Sequence, residues 1–386
     1  MMRLTRISAI GGLLLALGAA APAGARGQDV AFLLGQRDRT TLIVVHGDSV
    51  VARRGPGLVV PRASGWWRVG VDMPGVEHPD TTTVPDTASE SEGLPPREMN
   101  MHGEELGHPA CFGHFVWAAP LGRMPTPPDS LCAEDEERAG EYAFTFVSPA
   151  ILTMYAGITT DYSYNFARGT IVSTLDSVAR VPLTDMHTRS WAEDEVDPAP
   201  ALGVPAGDAA WEREAVRCNV EYNRGIREEN DDSTAYDYVG TWIVRTPGRW
   251  RYERYYANTS YVGRGSESSC VVRLPVPARL TGWDRLTVPW SAIRRRVPGA
   301  MDAFTSPNGA VAIVLDSTSA RVFRIEKNAL GAELATIPGD PSLIPSVENT
   351  TMSQWATGGA SRRWEAELAG VLPVVVEVRK GGAGKR

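Results

Sequence analysis

Three histidines at regular spacing are the residues of this chain whose types best suit chemistry. They are His102, His108 and His114, and Glu104, Glu105 and Cys111 lie among them. Imidazole and carboxylate groups are zinc ligands, and three of them with an open fourth position make a catalytic site that lowers the pKa of bound water. The spacing of six residues differs from H-E-x-x-H, in which two histidines lie one helical turn apart. The alternatives are a zinc site and a solvated loop in which His114 begins a strand.

Nucleophilic catalysis has less support. The sequence contains no G-x-S-x-G motif, which is the motif that exposes a serine at a nucleophile elbow. The stretch His46-Gly47-Asp48-Ser49 contains a base, an acid and a hydroxyl, but Gly and Asp are also the usual residues of a hairpin turn. We interpret this stretch as a turn, so the catalytic residues are unknown from the sequence.

Residues 1–25 have the pattern of a secretory signal peptide. Arg3 and Arg6 give a positive start, and residues 10–20 are uncharged and apolar. Small residues follow, so we expect cleavage just after Ala23 or Ala25. The apolar core is shorter than the roughly 20 residues that a spanning helix needs. We therefore expect an exported protein, periplasmic or extracellular, with no transmembrane segment after signal cleavage.

The four cysteines are Cys111, Cys132, Cys218 and Cys270. An even number in an exported protein indicates disulfides, and four cysteines allow three pairings. We predict the pairing that is local in sequence, Cys111 with Cys132 and Cys218 with Cys270. A disulfide at Cys111 removes its thiolate from the histidine group, so we expect well under one bound zinc per chain and no cofactor.

Composition limits the class of protein and of partner. The chain has 386 residues, 43% of them hydrophobic, which suits about two domains or one large repeat fold. Acidic residues outnumber basic ones by 46 to 39, and the net charge is −7 at pH 7. Because nucleic acid needs a clustered basic surface, this balance argues against nucleic acid as a general partner.

Short runs of β-branched and aromatic residues, separated by turn residues, dominate the chain. They form four groups of consecutive strands: residues 40–45, 49–52, 58–61 and 66–71; 142–147, 151–156, 162–167 and 170–175; 238–244, 249–256 and 269–274; and 300–304, 310–315, 320–326 and 333–337. One short C-terminal helix is predicted, in which Ser361 caps the first turn and Trp364 and Leu368 share a face. The predicted fold is all-β or β-rich, with successive antiparallel meanders.

Segments of different composition separate these groups. Residues 72–109 are rich in Pro, Thr, Ser and Glu, and residues 185–210 combine acids with prolines. We expect a long loop and an acidic linker there, because long structureless stretches are uncommon inside compact domains. The chain then divides into β-rich regions at residues 26–184 and 211–380, and we expect a disordered tail at residues 381–386.

The fourth strand group carries a recognisable turn. Thr305-Ser306-Pro307-Asn308-Gly309 is followed by a strand at residues 310–315 and by another at 321–325. Over residues 300–340 this arrangement resembles the Ser-Pro-Asp-Gly turn and strand pair of blades in TolB-like and WD40-like β-propellers, with Asn308 in the place of Asp. The resemblance implies a propeller-like fold of repeated blades. A turn alone also explains Pro-Asn-Gly, so one propeller and two separate domains both stay open.

Two hypotheses of function follow. The first is an exported, non-catalytic, β-rich protein that binds a protein, a glycan or an envelope component through loops on a rigid scaffold. The second is a metal-dependent hydrolase that uses zinc at His102, His108 and His114. We favour the first, because the second depends on one spacing that matches no known zinc signature.

Overall fold

The computed structural model describes residues 29–71, 115–123, 139–160, 165–180, 183–184, 200–229, 236–258, 267–339 and 349–378. Strand accounts for 54% of the structure and helix for 19%, and the strands form five antiparallel sheets. Ordinary globular domains contain about one third helix. The prediction of a β-rich fold is therefore confirmed.

The strands of the described residues follow in chain order. They are β1 (Val30–Gln36), β2 (Arg39–His46), β3 (Ser49–Pro56), β4 (Leu58–Arg62), β5 (Gly65–Val71), β6 (Phe115–Pro120), β7 (Ala139–Val147), β8 (Ile151–Thr160), β9 (Asn165–Thr174), β10 (Leu183–Thr184), β11 (Tyr236–Thr246), β12 (Arg249–Asn258), β13 (Glu267–Pro275), β14 (Asp302–Thr305), β15 (Val311–Leu315), β16 (Ser319–Glu326), β17 (Ala329–Pro338), β18 (Thr350–Thr357) and β19 (Val374–Val378). The helices are α1 (Leu175–Arg180), α2 (Ala209–Glu229), α3 (Ala278–Thr281), α4 (Trp290–Arg296) and α5 (Gly359–Leu368).

We number the sheets by the chain order of their first strands. Sheet 1 has the spatial order β18-β1-β2-β3-β19, and sheet 2 has the order β10-β6-β5-β4. Sheet 3 is β7-β8-β9, sheet 4 is β11-β12-β13, and sheet 5 is β14-β15-β16-β17. Over the five sheets together, most neighbouring strands are also neighbours in sequence, as expected for meanders.

Sheet 1 is covered by core residues on both faces. In β1, Ala31 and Leu33 pack with sheet 2 and α5, whereas Phe32 and Leu34 pack with sheet 5. Successive side chains of a strand point to opposite faces, so a strand that is buried on both faces needs apolar residues at every position. This explains the continuous apolar run of β1, a strand that the sequence patterns did not predict.

The last two strands complete sheet 1. β18 pairs with β1, and β19 pairs with β3. Between them, α5 buries Trp364 and Leu368 in the core shared with sheet 2. The regions predicted at residues 26–184 and 211–380 therefore share one sheet.

Two of the predicted strand groups differ from the structure. The four strands of the first group exist as β2 to β5, but the chain changes from sheet 1 to sheet 2 at Gly57. Gly57 has a φ of +76°, and Pro56 has no amide hydrogen to extend the ladder. In the second group, the two strands predicted at residues 162–167 and 170–175 are wrong. β9 is one strand through Gly169, because its pairing with β8 outweighs the turn preference of one glycine.

The longest described helix, α2, was not predicted. Asp208 caps it, since its Oδ1 accepts hydrogen bonds from the N–H groups of Ala210 and Trp211 at 2.8 and 3.0 Å. Trp211 and Cys218 are buried two turns apart on one face of the helix. None of the helices among the described residues has the length and apolar character to span a membrane.

The predicted C-terminal helix exists as α5, but its predicted cap is wrong. Gly358 occupies the N-cap position, and Ser361 lies inside the helix, where its hydroxyl donates a hydrogen bond to Gly358 O. The turn before α5 places Gly358 at a φ of +58°, a conformation that suits glycine. Ser361 therefore stabilises the first turn from within.

Helix α2 covers the outer edge of sheet 4. Arg217 Nη2 donates to Val271 O, and Glu214 Oε2 accepts from the N–H of Arg273, both at 2.8 Å. β13 is the edge strand of this sheet, and the helix side chains bind backbone groups that a further strand would otherwise use.

One predicted disulfide is confirmed. Cys218 of α2 is bonded to Cys270 of β13. The predicted partners Cys111 and Cys132 lie outside the described residues. The predicted signal peptide at residues 1–25, the loop at 72–109, the tail at 381–386 and residues 185–199 of the linker also lie outside the described residues. Residues 200–210 of the linker are described, and within them Leu202 is buried against sheet 4.

Candidate functional site

The predicted zinc ligands His102, His108 and His114 lie outside the described residues. The strand ends around them are described: Val71 of β5 and Thr184 of β10 flank the start of β6 through their pairs with Val116 and Phe115. The chain therefore leaves sheet 2 after Val71 and re-enters it at Phe115 at the same end, and it leaves sheet 2 from that end again after Thr184. Within the described residues, no group of three or more His, Cys, Asp or Glu side chains is arranged to hold a metal ion.

An ionic cluster lies at the end of sheet 1, and we call Asp29, His46, Arg362 and Glu365 the His46 cluster. His46 Nδ1 is 3.0 Å from Asp29 Oδ1, and His46 Nε2 is 2.7 Å from Glu365 Oε2. Arg362 Nε donates a hydrogen bond to Asp29 Oδ2. The imidazole thus lies between two carboxylates, one of which a guanidinium also binds.

Three elements bring the His46 cluster together. His46 ends β2, and Asp29 directly precedes β1, the strand that pairs with β2. Helix α5 starts beside them, since the Gly358 N–H donates to Asp29 O at 2.8 Å. Arg362 and Glu365 are three residues apart, so they lie on the same side of α5.

The cluster favours its charged forms. Burial alone would lower the pKa of His46, but its hydrogen bonds with Glu365 and Asp29 and their negative charges outweigh burial and raise that pKa. Burial alone would raise the pKa of Asp29, but His46 and Arg362 outweigh it and lower that pKa. The His46 side chain is 31% exposed, so protons can reach it from solvent.

The geometry makes His46 a link between elements. A general base or a metal ligand needs a ring nitrogen that is open to substrate or metal, and carboxylates occupy both nitrogens here. Ser49 lies opposite His46 in the β2–β3 hairpin, and Asp48 forms an ion pair with Arg324 of β16. Residues 46–49 thus form the expected turn.

A second ionic cluster is buried where sheet 4 meets sheet 5. The Arg245 side chain is 1% exposed, and it binds Asp302 at 2.7 Å and Asp284 at 2.5 Å. Asp302 also accepts from the Gly248 N–H, and the guanidinium lies 4.2 Å from the ring centre of Phe304. Burial alone would lower the pKa of Arg245, but the two carboxylates raise it, so the group stays charged. This cluster joins the two sheets.

A shallow cleft beside Arg245 is lined partly by Trp283, Phe304 and Trp355, and it has no room for a molecule as large as water. Pockets for drug-sized ligands measure about 300–1,000 Å³. The guanidinium is already held by carboxylates. We therefore assign the cleft no ligand.

Four exposed arginines lie on the segment that covers the outer face of sheet 5. We call Arg285, Arg294, Arg295 and Arg296 the arginine surface. The last three form the final turn of α4. Among the described residues, none of these four side chains has a hydrogen-bond or ion-pair partner.

The fold holds the arginine surface outward. Ile293 of α4, with Val288 and Val297 on either side of the helix, is buried against Val314 and Phe323 of sheet 5. The helix starts after Pro289 and ends before Pro298, since proline fits a helix start and disfavours helix in the residue before it. With the apolar face anchored, the arginines point to solvent.

The two sites differ in how visible they are in the sequence. The run Arg294–Arg296 in an acidic chain is a direct signal of local positive charge. The His46 cluster has no such signal, because Asp29 and Glu365 come from opposite ends of the chain. Only the pairing of β18 with β1 brings α5 to them.

Comparison with known proteins gives no match: no family model fits the chain, and no curated protein or solved structure is similar to it.

Proposed function

We propose that the protein is an exported, non-catalytic binding protein that attaches to a phosphate-bearing component of the cell envelope through the arginine surface. The observation that carries this proposal is the exposed run Arg294–Arg296, which has no acceptor among the described residues. The β-rich scaffold fixes this run in place through the buried face of α4.

The stability of α4 depends little on the positive charge of its arginines. A basic residue in the last turn contributes about 0.3–1 kcal/mol through the helix dipole, and α4 carries three. Exposed arginines that form no close ion pair gain little from ion pairing. A concentrated positive charge in a chain of net charge −7 therefore favours an external anionic partner.

The arrangement suits an extended surface. Successive residues of a helix point about 100° apart, so the three guanidinium groups cannot converge on one small anion. A guanidinium binds phosphate through two parallel hydrogen bonds. A sheet of phosphate headgroups offers many acceptors side by side, and it fits this spread of donors.

Nearby acids do not cancel the positive charge. Glu333 of β17 is held by Arg321 and by Thr336, and the Arg321 hydrogen bond lowers the pKa of Glu333 despite its burial. The positive charge of Arg296 adds a smaller lowering, so Glu333 offsets part of the charge of one of the four arginines. Acidic residues on distant faces are screened, because the Debye length is about 8 Å at physiological salt. Four exposed arginines beside one carboxylate that Arg321 already holds leave an excess of positive charge at α4.

Export and a propeller-like scaffold belong to the same proposal. Export is supported by the predicted signal peptide and by the Cys218–Cys270 disulfide, since disulfides persist in oxidising compartments. The scaffold is supported by a circular order of contacts. Sheet 1 packs with sheets 2 and 5, sheet 3 packs with sheets 2 and 4, and Arg245 joins sheet 4 to sheet 5.

The test is co-sedimentation of the purified exported protein with vesicles. Vesicles that contain phosphatidylglycerol are compared with vesicles of phosphatidylcholine alone. Changing Arg294, Arg295 and Arg296 together to Gln removes three charges and keeps good helix formers. At about 1 kcal/mol per arginine near an anionic surface, binding to the anionic vesicles is expected to weaken about 100-fold.

The matched control changes Arg123, Arg213 and Arg363 to Gln. These three are also exposed, and the change in net charge is the same. The control is expected to bind within about twofold of the unchanged protein, because screened charges on other faces contribute little. Equal loss in both variants, or no preference for anionic vesicles, would contradict the proposal.

The competing hypothesis is a metal-dependent hydrolase at His102, His108 and His114. Elemental analysis of the purified protein separates the two functions. One tightly held zinc per chain, lost when these histidines are changed to Ala, would favour the hydrolase.

A further inference from the structure

The His46 cluster ties the start of sheet 1 to the helix between its last two strands, a role separate from binding at α4. We propose that this cluster is a pH-dependent latch, which fastens α5 to β1 and β2 while His46 is protonated and releases Glu365 when the proton leaves.

The latch acts on the middle of α5, because Glu365 is the seventh of its ten residues. On either side of Glu365, Trp364 and Leu368 are buried in the core, and beyond the helix Arg53 Nη1 donates to the carbonyls of Ala369 and Leu372 at 3.3 and 3.2 Å. None of these contacts involves His46. The first turn is held by the Arg362–Asp29 ion pair and by one backbone hydrogen bond to Asp29, so Glu365 is the residue of α5 whose contact depends on the proton of His46.

Loss of the proton removes one of two hydrogen bonds. An imidazolium has two N–H donors, whereas a neutral imidazole has one, so one carboxylate then faces a nitrogen lone pair. Asp29 is 7% exposed and keeps Arg362 as its partner. The Glu365 side chain is 27% exposed, so Glu365 is the group that turns to solvent.

The other charged groups around His46 are carboxylates and guanidinium groups. On α5 they are Arg362 and Glu365, and on the strand side the group is Asp29. In the hairpin, Asp48 is bound by Arg324 of β16, which also donates to Gly47 O at 2.8 Å. His46 is the one imidazole in this group of side chains, so it sets the pH range of the latch.

The direction of the effect follows from the two carboxylates. They raise the pKa of His46 above its ordinary 6.5, so the folded state holds the proton more tightly than the unfolded state. The latch contributes fully below about pH 6.5. Its contribution is lost as the pH rises through the raised pKa of the folded protein.

Hydrogen–deuterium exchange of the full chain tests the latch. Corrected for the intrinsic rate, protection around Glu365 in α5 is expected to fall about fivefold between about pH 6 and pH 9, as for a part-exposed ion pair. Changing His46 to Gln is expected to abolish this pH dependence. Helix α2, which does not contact the cluster, is the internal control, and its corrected protection should stay constant.

A second measurement decides the matter if the His46→Gln variant does not fold. The ring protons of His46 are titrated by NMR in the unchanged protein and in Glu365→Gln, which keeps the size of the side chain. The pKa is expected above 6.5 in the unchanged protein and lower in the variant. A pKa at or below 6.5, or equal pH dependence of α5 in the unchanged protein and Glu365→Gln, would overturn the latch.

Discussion

Changing Arg245 to Met tests whether the buried ionic joint between sheets 4 and 5 holds the fold. The change removes the guanidinium and keeps a side chain long enough to fill most of its space. Asp302, which is fully buried, and Asp284 then lose their cationic partner. The change lowers the free energy of unfolding because it leaves a buried carboxylate without a compensating charge.

The magnitude follows from the burial of both partners. Removing one partner of a buried ion pair costs about 3–5 kcal/mol. Arg245 is 1% exposed and Asp302 is 0% exposed, so solvent does not reduce this figure. We expect the free energy of unfolding to fall by about 4 kcal/mol at neutral pH. The deficit should shrink in acid, because an unpaired buried carboxylate takes up a proton readily.

The assay is urea denaturation followed by tryptophan fluorescence. The control is Arg213→Met, an exposed change that is expected to stay within about 0.5 kcal/mol of the unchanged protein. In the double variant of Arg245→Met with Asp302→Asn, the free energy of unfolding should fall by less than the sum of the falls in the two single variants, because the two residues interact directly. A loss below about 1 kcal/mol for Arg245→Met, or strict additivity in the double variant, would refute the joint.

Three further predictions concern α2 and the cysteines. Replacing Cys218 and Cys270 with Ala removes a crosslink that spans 52 residues, and the free energy of unfolding in urea should fall by about 4 kcal/mol. A fall below about 1 kcal/mol would contradict a stabilising role of the disulfide. Changing Asp208 to Ala removes the cap of α2 and should cost about 1 kcal/mol in the same assay, whereas Asp208→Asn should cost almost nothing. Peptide mapping without reduction should show Cys111 linked to Cys132, with well under one zinc per chain. Free thiol at Cys111 together with one bound zinc would contradict that.

Local patterns predict the hairpins of this fold well. Residues 310–315 and 320–326 were predicted as strands and correspond to β15 and β16. β15 is a short apolar run that is buried at every position, β16 begins with alternating burial, and turn residues separate the two strands. These signals lie within a few residues, so a short window contains them.

Features that depend on distant pairing could not be predicted in this way. β1 is apolar on both faces because sheets 2 and 5 cover it, and nothing within the strand itself reports those partners. β9 passes through Gly169 because β8 pairs with it. Two local signals were absent from the sequence analysis. One is Asp208 before Trp211 and Cys218, a cap followed by a helical face, and the other is the run Arg294–Arg296.

The candidate sites divide in the same way. Arg294–Arg296 are consecutive residues, and they are exposed because Ile293 of the same helix faces sheet 5. The His46 cluster joins residues 319 positions apart, and the closing of sheet 1 by β18 is required before Glu365 meets His46. Charge runs are therefore readable from a sequence, and ionic links between chain ends are not.

Attachment to an anionic envelope component is tested most directly on the natural surface. Purified exported protein is sedimented with envelope fragments from the cells that produce it, at low and at high salt. The unchanged protein and the Arg123, Arg213 and Arg363 control should sediment at low salt and be released at high salt. The variant with Gln at positions 294, 295 and 296 should stay in solution at both salt concentrations. Equal sedimentation of this variant and the control would contradict attachment through α4.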